Sequence, residues 1–205
     1  MRKLIVAEHV SLDGVIQAPG GPEEDLSGDF RLGGWSAPYD DDAIGQAVQE
    51  LHSQPFELLL GRRTYDIWAG YWPRVPAGNT IADLFNSVPK HVATHRPESL
   101  EWQNSRALQG DLADAVRALK RQDGADLLTW GSGEMVRQLF AAGLVDELLL
   151  MVYPVVLGHG KRLFDENAQA SAFTLESSTR AASGALITRY VRSGEVRTGT
   201  FEEIE

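Results

Sequence analysis

The stretch DLLTWGSGEMVRQLFAAGLVDELLLMVY, residues 126–153, decides the fold. It reads as a short buried strand, a turn made of two glycines around Ser132, a helix over EMVRQLFAAG, and a second buried run, ELLLMVYPVVLG. Strand, helix, strand in that order predicts a parallel sheet. The rest of the chain repeats the pattern. Residues 2–10 read as a first strand, FELLL at 56–60 as a second and HVATH at 91–95 as a third. Residues 42–52 have helical spacing, with Ile44, Val48 and Leu51 on one side. A further helix over DLADAVRALKRQDG is expected to start at the N-cap Asp111 and stop at Gly124. Thr64 is expected to cap the helix that follows FELLL.

Near the end, AFTLESSTR and ALITRYVRSG, joined across Ala181 to Gly184, predict an antiparallel hairpin added to the parallel strands. One α/β domain over residues 1–205 accounts for the length, with residues 198–205 as a solvated acidic tail.

Composition excludes several classes of function. With no Cys there are no disulfides and no thiolate metal sites, which suits a reducing cytoplasm. The five histidines, His9, His52, His91, His95 and His159, show no ligand spacing on one helix face, so no metal is expected. The N-terminus meets charge at Glu8, too soon for a signal peptide. The longest apolar run, residues 148–158, contains Pro154 and falls short of the roughly 20 residues that span a bilayer. A net charge of −10 disfavours nucleic acid and anionic membrane, so any anion site must be local.

In open α/β sheets the ligand lies beyond the carboxyl ends of the strands, so the residues just after each strand carry the information. GRRT, Gly61 to Thr64, places two guanidiniums beside a helix N-terminus, which suits a phosphate; the alternative is a pair of solvated arginines. WGSGE lets the backbone approach a diphosphate at Gly131 and Gly133, or is a plain strand-to-helix turn. A third Rossmann glycine is missing, because position 136 is Val, and no P-loop is present.

In order and wording these segments resemble the dihydrofolate-reductase-like superfamily, and more closely the reductase domain at the C-terminal end of bifunctional riboflavin-biosynthesis enzymes. The carriers are VAEHVSLDG, LLGRRTYDIWAGYW, the run at residues 129–164 and the closing hairpin; together they cover about Lys3 to Arg192. The resemblance implies a three-layer αβα fold with a mostly parallel mixed sheet, NADPH as cofactor and a homodimer. It aligns Gly61, Arg62, Arg63 and Thr64 with the turn at the adenosine 2′-phosphate and pyrophosphate, and Thr94, His95 and Arg96 with the adenine side. Gly131, Ser132, Gly133, Glu134, Met135 and Val136 align with the turn along the pyrophosphate and nicotinamide ribose, and Ala7 falls within the aligned first strand.

The activity so implied is reduction of a small heterocyclic or pyrimidine-nucleotide-like substrate, like the 5-amino-6-(5-phosphoribosylamino)uracil reductase of riboflavin biosynthesis. A non-catalytic ligand-binding protein on the same scaffold and a true dihydrofolate reductase are the alternatives. No zinc deaminase signature is present. Reduction needs a proton donor, and Asp13, Glu8 and His9 are the candidates at the end of the first strand. The long stretch after Asp13, to residue 42, is expected to be a substrate-side lid carrying Trp35 as a wall. Lys161 and Arg162 are candidates for a substrate phosphate, or belong to a solvated loop.

Overall fold

The computed structural model describes residues 1–166 and 168–201. Its centre is an eight-stranded sheet. The strands are β1 (Leu4–Ser11), β2 (Phe56–Gly61), β3 (Lys90–Ala93), β4 (Ser105–Ala107), β5 (Asp126–Trp130), β6 (Glu147–Tyr153), β7 (Ala172–Arg180) and β8 (Leu186–Gly194). Their spatial order is β4-β3-β2-β5-β1-β6-β8-β7. The pairings from β4 to β6 are parallel, while β6 with β8 and β8 with β7 are antiparallel. This is the α/β fold with a closing hairpin that the sequence predicts.

Side-chain alternation along the strands divides the core in two. Ala7, Leu58, Leu60 and Leu128 pack on one face, Val6, Leu59 and Leu127 on the other, so both faces are buried, as parallel strands require. Helices α1 (Asp42–Leu51), α2 (Arg62–Tyr71) and α3 (Thr80–Ser87) contribute Ile44, Tyr65 and Phe85 to the first cluster. Helices α4 (Leu112–Arg121) and α5 (Gly133–Ala141) contribute Val116, Met135, Val136, Leu139 and Phe140 to the second.

Several boundaries differ from the sequence reading. The third strand ends at Ala93, and α4 stops at Arg121 rather than running to Gly124. Thr64 is no cap, because α2 begins two residues before it, at Arg62, with Gly61 in the N-cap position. Helix α3 and the short edge strand β4 are additional to the predicted elements. Of the expected acidic tail, residues 202–205 lie outside the described residues. Among the described residues no helix is long and apolar enough to cross a membrane.

Candidate active site

A cleft of about 580 Å³ opens at the carboxyl ends of β1, β2 and β5. Strands β2 and β5 are neighbours, and the helix that follows each one starts at this edge. The two turns are fastened together: Thr64 Oγ1 accepts the amide of Ser132 at 2.9 Å, and Ser132 Oγ accepts the amide of Gly61 at 2.9 Å. Ser132 stands in the left-handed region at φ +56°, and Gly131 at φ +58° has Thr64 Oγ1 only 3.1 Å from where a Cβ would lie. Gly133 has a different reason: a Cβ there would meet Ile16 Cδ1, in the cleft wall, at 2.8 Å.

The helices at this edge differ from the others at their amino ends. Asp41, Asn79 and Asp111 cap α1, α3 and α4 by accepting first-turn amides. Helices α2 and α5 have no side-chain cap. Their first-turn N–H groups and positive dipole ends are left for a ligand at the cleft.

From β1, Glu8 and His9 both line the cleft. Glu8 is 3% exposed, the Gly131 backbone favours its charged form, and among the described residues its Oε1 has no hydrogen-bond partner. Burial pushes its pKa well above the ordinary carboxylate value, against the Gly131 hydrogen bond, and nearby Glu24 pushes the same way. Buried Glu147 goes in the opposite direction: burial would raise it, but Lys3 and Arg189 hold it down. Burial of a carboxyl with no cation beside it favours the protonated form.

His9 stacks on Trp130 at 5.5 Å and its Nδ1 shares a 2.7 Å hydrogen bond with the Tyr153 hydroxyl. Burial lowers its pKa to about 4, so the imidazole is neutral near pH 7. Trp130 and Trp72 also line the cleft, and their buried indole N–H groups have no hydrogen-bond partner among the described residues. Sequence reasoning missed Tyr153 and Glu24. Tyr153 is the last residue of an apolar strand, and Glu24 lies in a stretch with no periodicity.

Asp13 lies outside the cleft. Its carboxylate accepts from Ser11 Oγ at 2.7 Å and from the amides of Leu157 at 3.0 Å and Gly158 at 2.9 Å, joining β1 to the loop after β6. Burial opposes ionisation, but these hydrogen bonds outweigh it and bring the pKa to about 2. A carboxylate so held has no proton to donate. Arg162 belongs to the same junction, with Nε donating to the Asp13 carbonyl at 2.8 Å.

Arg62 lines the cleft, but its donors are spent on Asp66, on Thr94 Oγ1 at 3.3 Å, on the Arg96 carbonyl at 3.1 Å and on Ser99 Oγ at 2.6 Å. It fixes the loop after β3, and His95 and Arg96 stay exposed on that loop. Arg63, Lys161 and Glu134 stand at the cleft, whereas Ala7 and Val136 are fully buried.

Trp35 is core. It is 7% exposed, donates its N–H to the Gln17 carbonyl at 2.8 Å and meets Tyr153 edge-on. The expected lid therefore divides in two: Phe30 and Trp35 anchor the stretch in the core, and Ile16 to Gly20 with Glu24 and Asp25 face the cleft, Ala18 belonging to both.

Residues 2–187 match the family model of the RibD C-terminal domain. The chain belongs to the RibD C-terminal domain family. Two Bacillus subtilis (strain 168) proteins are similar along most of their length. The uncharacterized protein YyaP is 25% identical over 186 residues, covering 89% of this chain and 91% of its own. The uncharacterized protein YwjB is 27% identical over 192 residues, covering 94% and 99%.

Among solved structures, a candidate riboflavin biosynthesis protein from Shewanella sp. PV-4 superposes with a TM-score of 0.62 at 21% identity, covering 93% of this chain and 99% of that one. A pyrimidine reductase-like protein from Corynebacterium diphtheriae gives 0.61 at 15% identity, covering 96% and 93%. At these identities the structural likeness carries the fold alone. The RibD C-terminal family contains reductases, and the fold here is reductase-like.

Proposed function

We propose that the chain is an NADPH-dependent reductase of a small heterocyclic or pyrimidine-nucleotide-like substrate. The observation that carries this reading is the pair of uncapped helix N-termini, of α2 and α5, meeting in a cleft that also holds a buried carboxyl without a cationic partner. The amides at Arg63 and Gly133 to Met135 would hold the phosphates of a dinucleotide, a role in which backbone N–H groups and helix dipoles act together. Close packing at Gly61, where Ser132 Cβ lies 3.4 Å from the place of a Cβ, keeps the two turns near enough to share one ligand.

Bound NADPH would supply hydride. The chain supplies the proton, and Glu8 is the residue for it: burial pushes its pKa well above the ordinary carboxylate value, towards the protonated form, it lines the cleft, and one of its oxygens has no partner among the described residues. Asp13 is ionised and spent elsewhere, and His9 is neutral with Nδ1 bonded to Tyr153. His9 instead holds the plane of Trp130, whose ring walls the cleft against a flat substrate.

The test is titration of the full chain with NADPH by calorimetry, followed by reduced-nicotinamide oxidation across pyrimidine, pteridine and sugar-phosphate substrates. NADPH binding with turnover of one class is expected. No NADPH binding at millimolar concentration would remove the reading.

A further inference from the structure

We propose that Arg63 and Lys161 form a single site for a phosphate monoester, which Asp25 fills as an internal stand-in until a ligand displaces it. One Asp25 oxygen, Oδ1, accepts from the Arg63 guanidinium at 2.7 Å, and the other, Oδ2, accepts from Lys161 Nζ at 2.5 Å. The two cations come from opposite walls, Arg63 from the start of α2 and Lys161 from the loop after β6, so the sequence gives no hint that they converge. Both lie within hydrogen-bond reach of a single carboxylate. A phosphate monoester offers oxygens at comparable spacing with more charge, the partner that an arginine fork and a lysine ammonium hold best.

The burial pattern fits an occupied site. The Asp25 side chain is 9% exposed, whereas those of Arg63 and Lys161 are 61% and 43% exposed. The anion is sheltered in the cleft mouth and the cations close over it from outside. The strap that delivers Asp25 has a built seat: buried Gln17 donates Nε2 to the carbonyls of Asp25 at 3.0 Å and Ser27 at 2.8 Å, and its Oε1 accepts the Lys161 amide at 3.0 Å. Asp25 also accepts from the Ser27 amide and hydroxyl, at 3.1 and 2.6 Å, which gives it a local resting place when the cations are taken. Arg62 cannot share the site, because its guanidinium is committed to Asp66, Thr94 and Ser99.

This site lies in the cleft assigned to the reductase but does not depend on hydride transfer. Two probes separate the sources of the phosphate: adenosine 2′,5′-bisphosphate stands for the cofactor and ribose 5-phosphate for a phosphorylated substrate. Calorimetry on the full chain should show that Asp25→Asn, which keeps an acceptor for Ser27 and loses the charge, binds one of them several-fold more tightly than the parent. Arg63→Gln and Lys161→Gln should each weaken that same probe by roughly tenfold or more.

Asp25→Glu, with the charge retained, should give no such gain, and thermal unfolding of each variant checks that the chain is folded. Unchanged or weaker binding in Asp25→Asn, or no binding of either probe to it, would overturn the proposal. So would a loss of one probe in Arg63→Gln and of the other in Lys161→Gln, which would mean two sites. A probe that binds as expected while no substrate is reduced leaves this site standing and removes only the reductase reading.

Discussion

Thr64 and Ser132 clasp the two turns of the cleft: the Ser132 amide ends on Thr64 Oγ1, 2.9 Å away, while Ser132 Oγ receives the amide of Gly61. GRRT and GSG, far apart in the chain, are thus one rigid piece. Thr64→Val keeps the shape and removes the acceptor, stranding a partly buried amide. A loss of about 1–3 kcal/mol in urea unfolding is expected, together with weaker binding of NADPH and NADH alike. Unchanged affinity for both would separate the clasp from the cofactor site.

Glu8→Gln is the sharpest test of the chemistry. The amide is neutral like the protonated acid and of the same size, so NADPH affinity should hold, whereas turnover should fall by about 10²–10⁴-fold. In the parent the rate should decline as pH rises through the raised pKa of Glu8, because the donor is then ionised. Full turnover in the variant would pass the proton to another source.

The same carboxyl should be visible in stability. Above its ordinary value of 4.5 the unfolded chain releases the Glu8 proton while the folded chain keeps it, so folding weakens as pH rises from there towards the raised folded pKa. Each pH unit across that window costs about 1.4 kcal/mol. Glu8→Gln should therefore melt higher than the parent near pH 7, and the difference should shrink towards pH 4.

Asp13 should behave in the opposite sense. Its pKa falls from 3.8 to about 2 on folding, so its contribution is present above pH 3.8 and fades as pH drops to 2. Asp13→Asn should lose roughly 1–3 kcal/mol at neutral pH, by weakening the bonds to the Leu157 and Gly158 amides, while the pH profile of turnover keeps its shape. A displaced profile would restore Asp13 as a proton donor.

Trp35→Ala should cost about 3–5 kcal/mol, the range for emptying a large aromatic site in a core. Urea unfolding measures it. A loss below about 1 kcal/mol would put Trp35 back at a ligand surface.

The parallel core was legible because β2, β5 and β6 are apolar runs bounded by turn residues, and the hairpin because its two strands flank a short Gly-containing turn. Strand β4 was not: Ser-Arg-Ala carries no apolar signal and is a strand only because β3 offers it a partner. Nothing local distinguishes Asp13 from Glu8 as an acid. Their difference comes from tertiary surroundings: deep burial dominates at Glu8, whereas at Asp13 the Ser11 hydroxyl and the amides of Leu157 and Gly158 outweigh burial. Thr64 has the composition of a cap, yet the amide it accepts is that of Ser132, in another turn.

Strand β1 lies between β5 and β6 and pairs with no strand nearer in sequence; the Lys3 amide reaches the Asp126 side chain across 123 residues. A chain leaving the ribosome thus carries its first strand without a sheet partner until β5 has emerged. The apolar side chains of Leu4 and Val6 on one face and Ala7 on the other are exposed to other chains during that wait. Folding yield, more than final stability, should then depend on synthesis rate and chaperone supply.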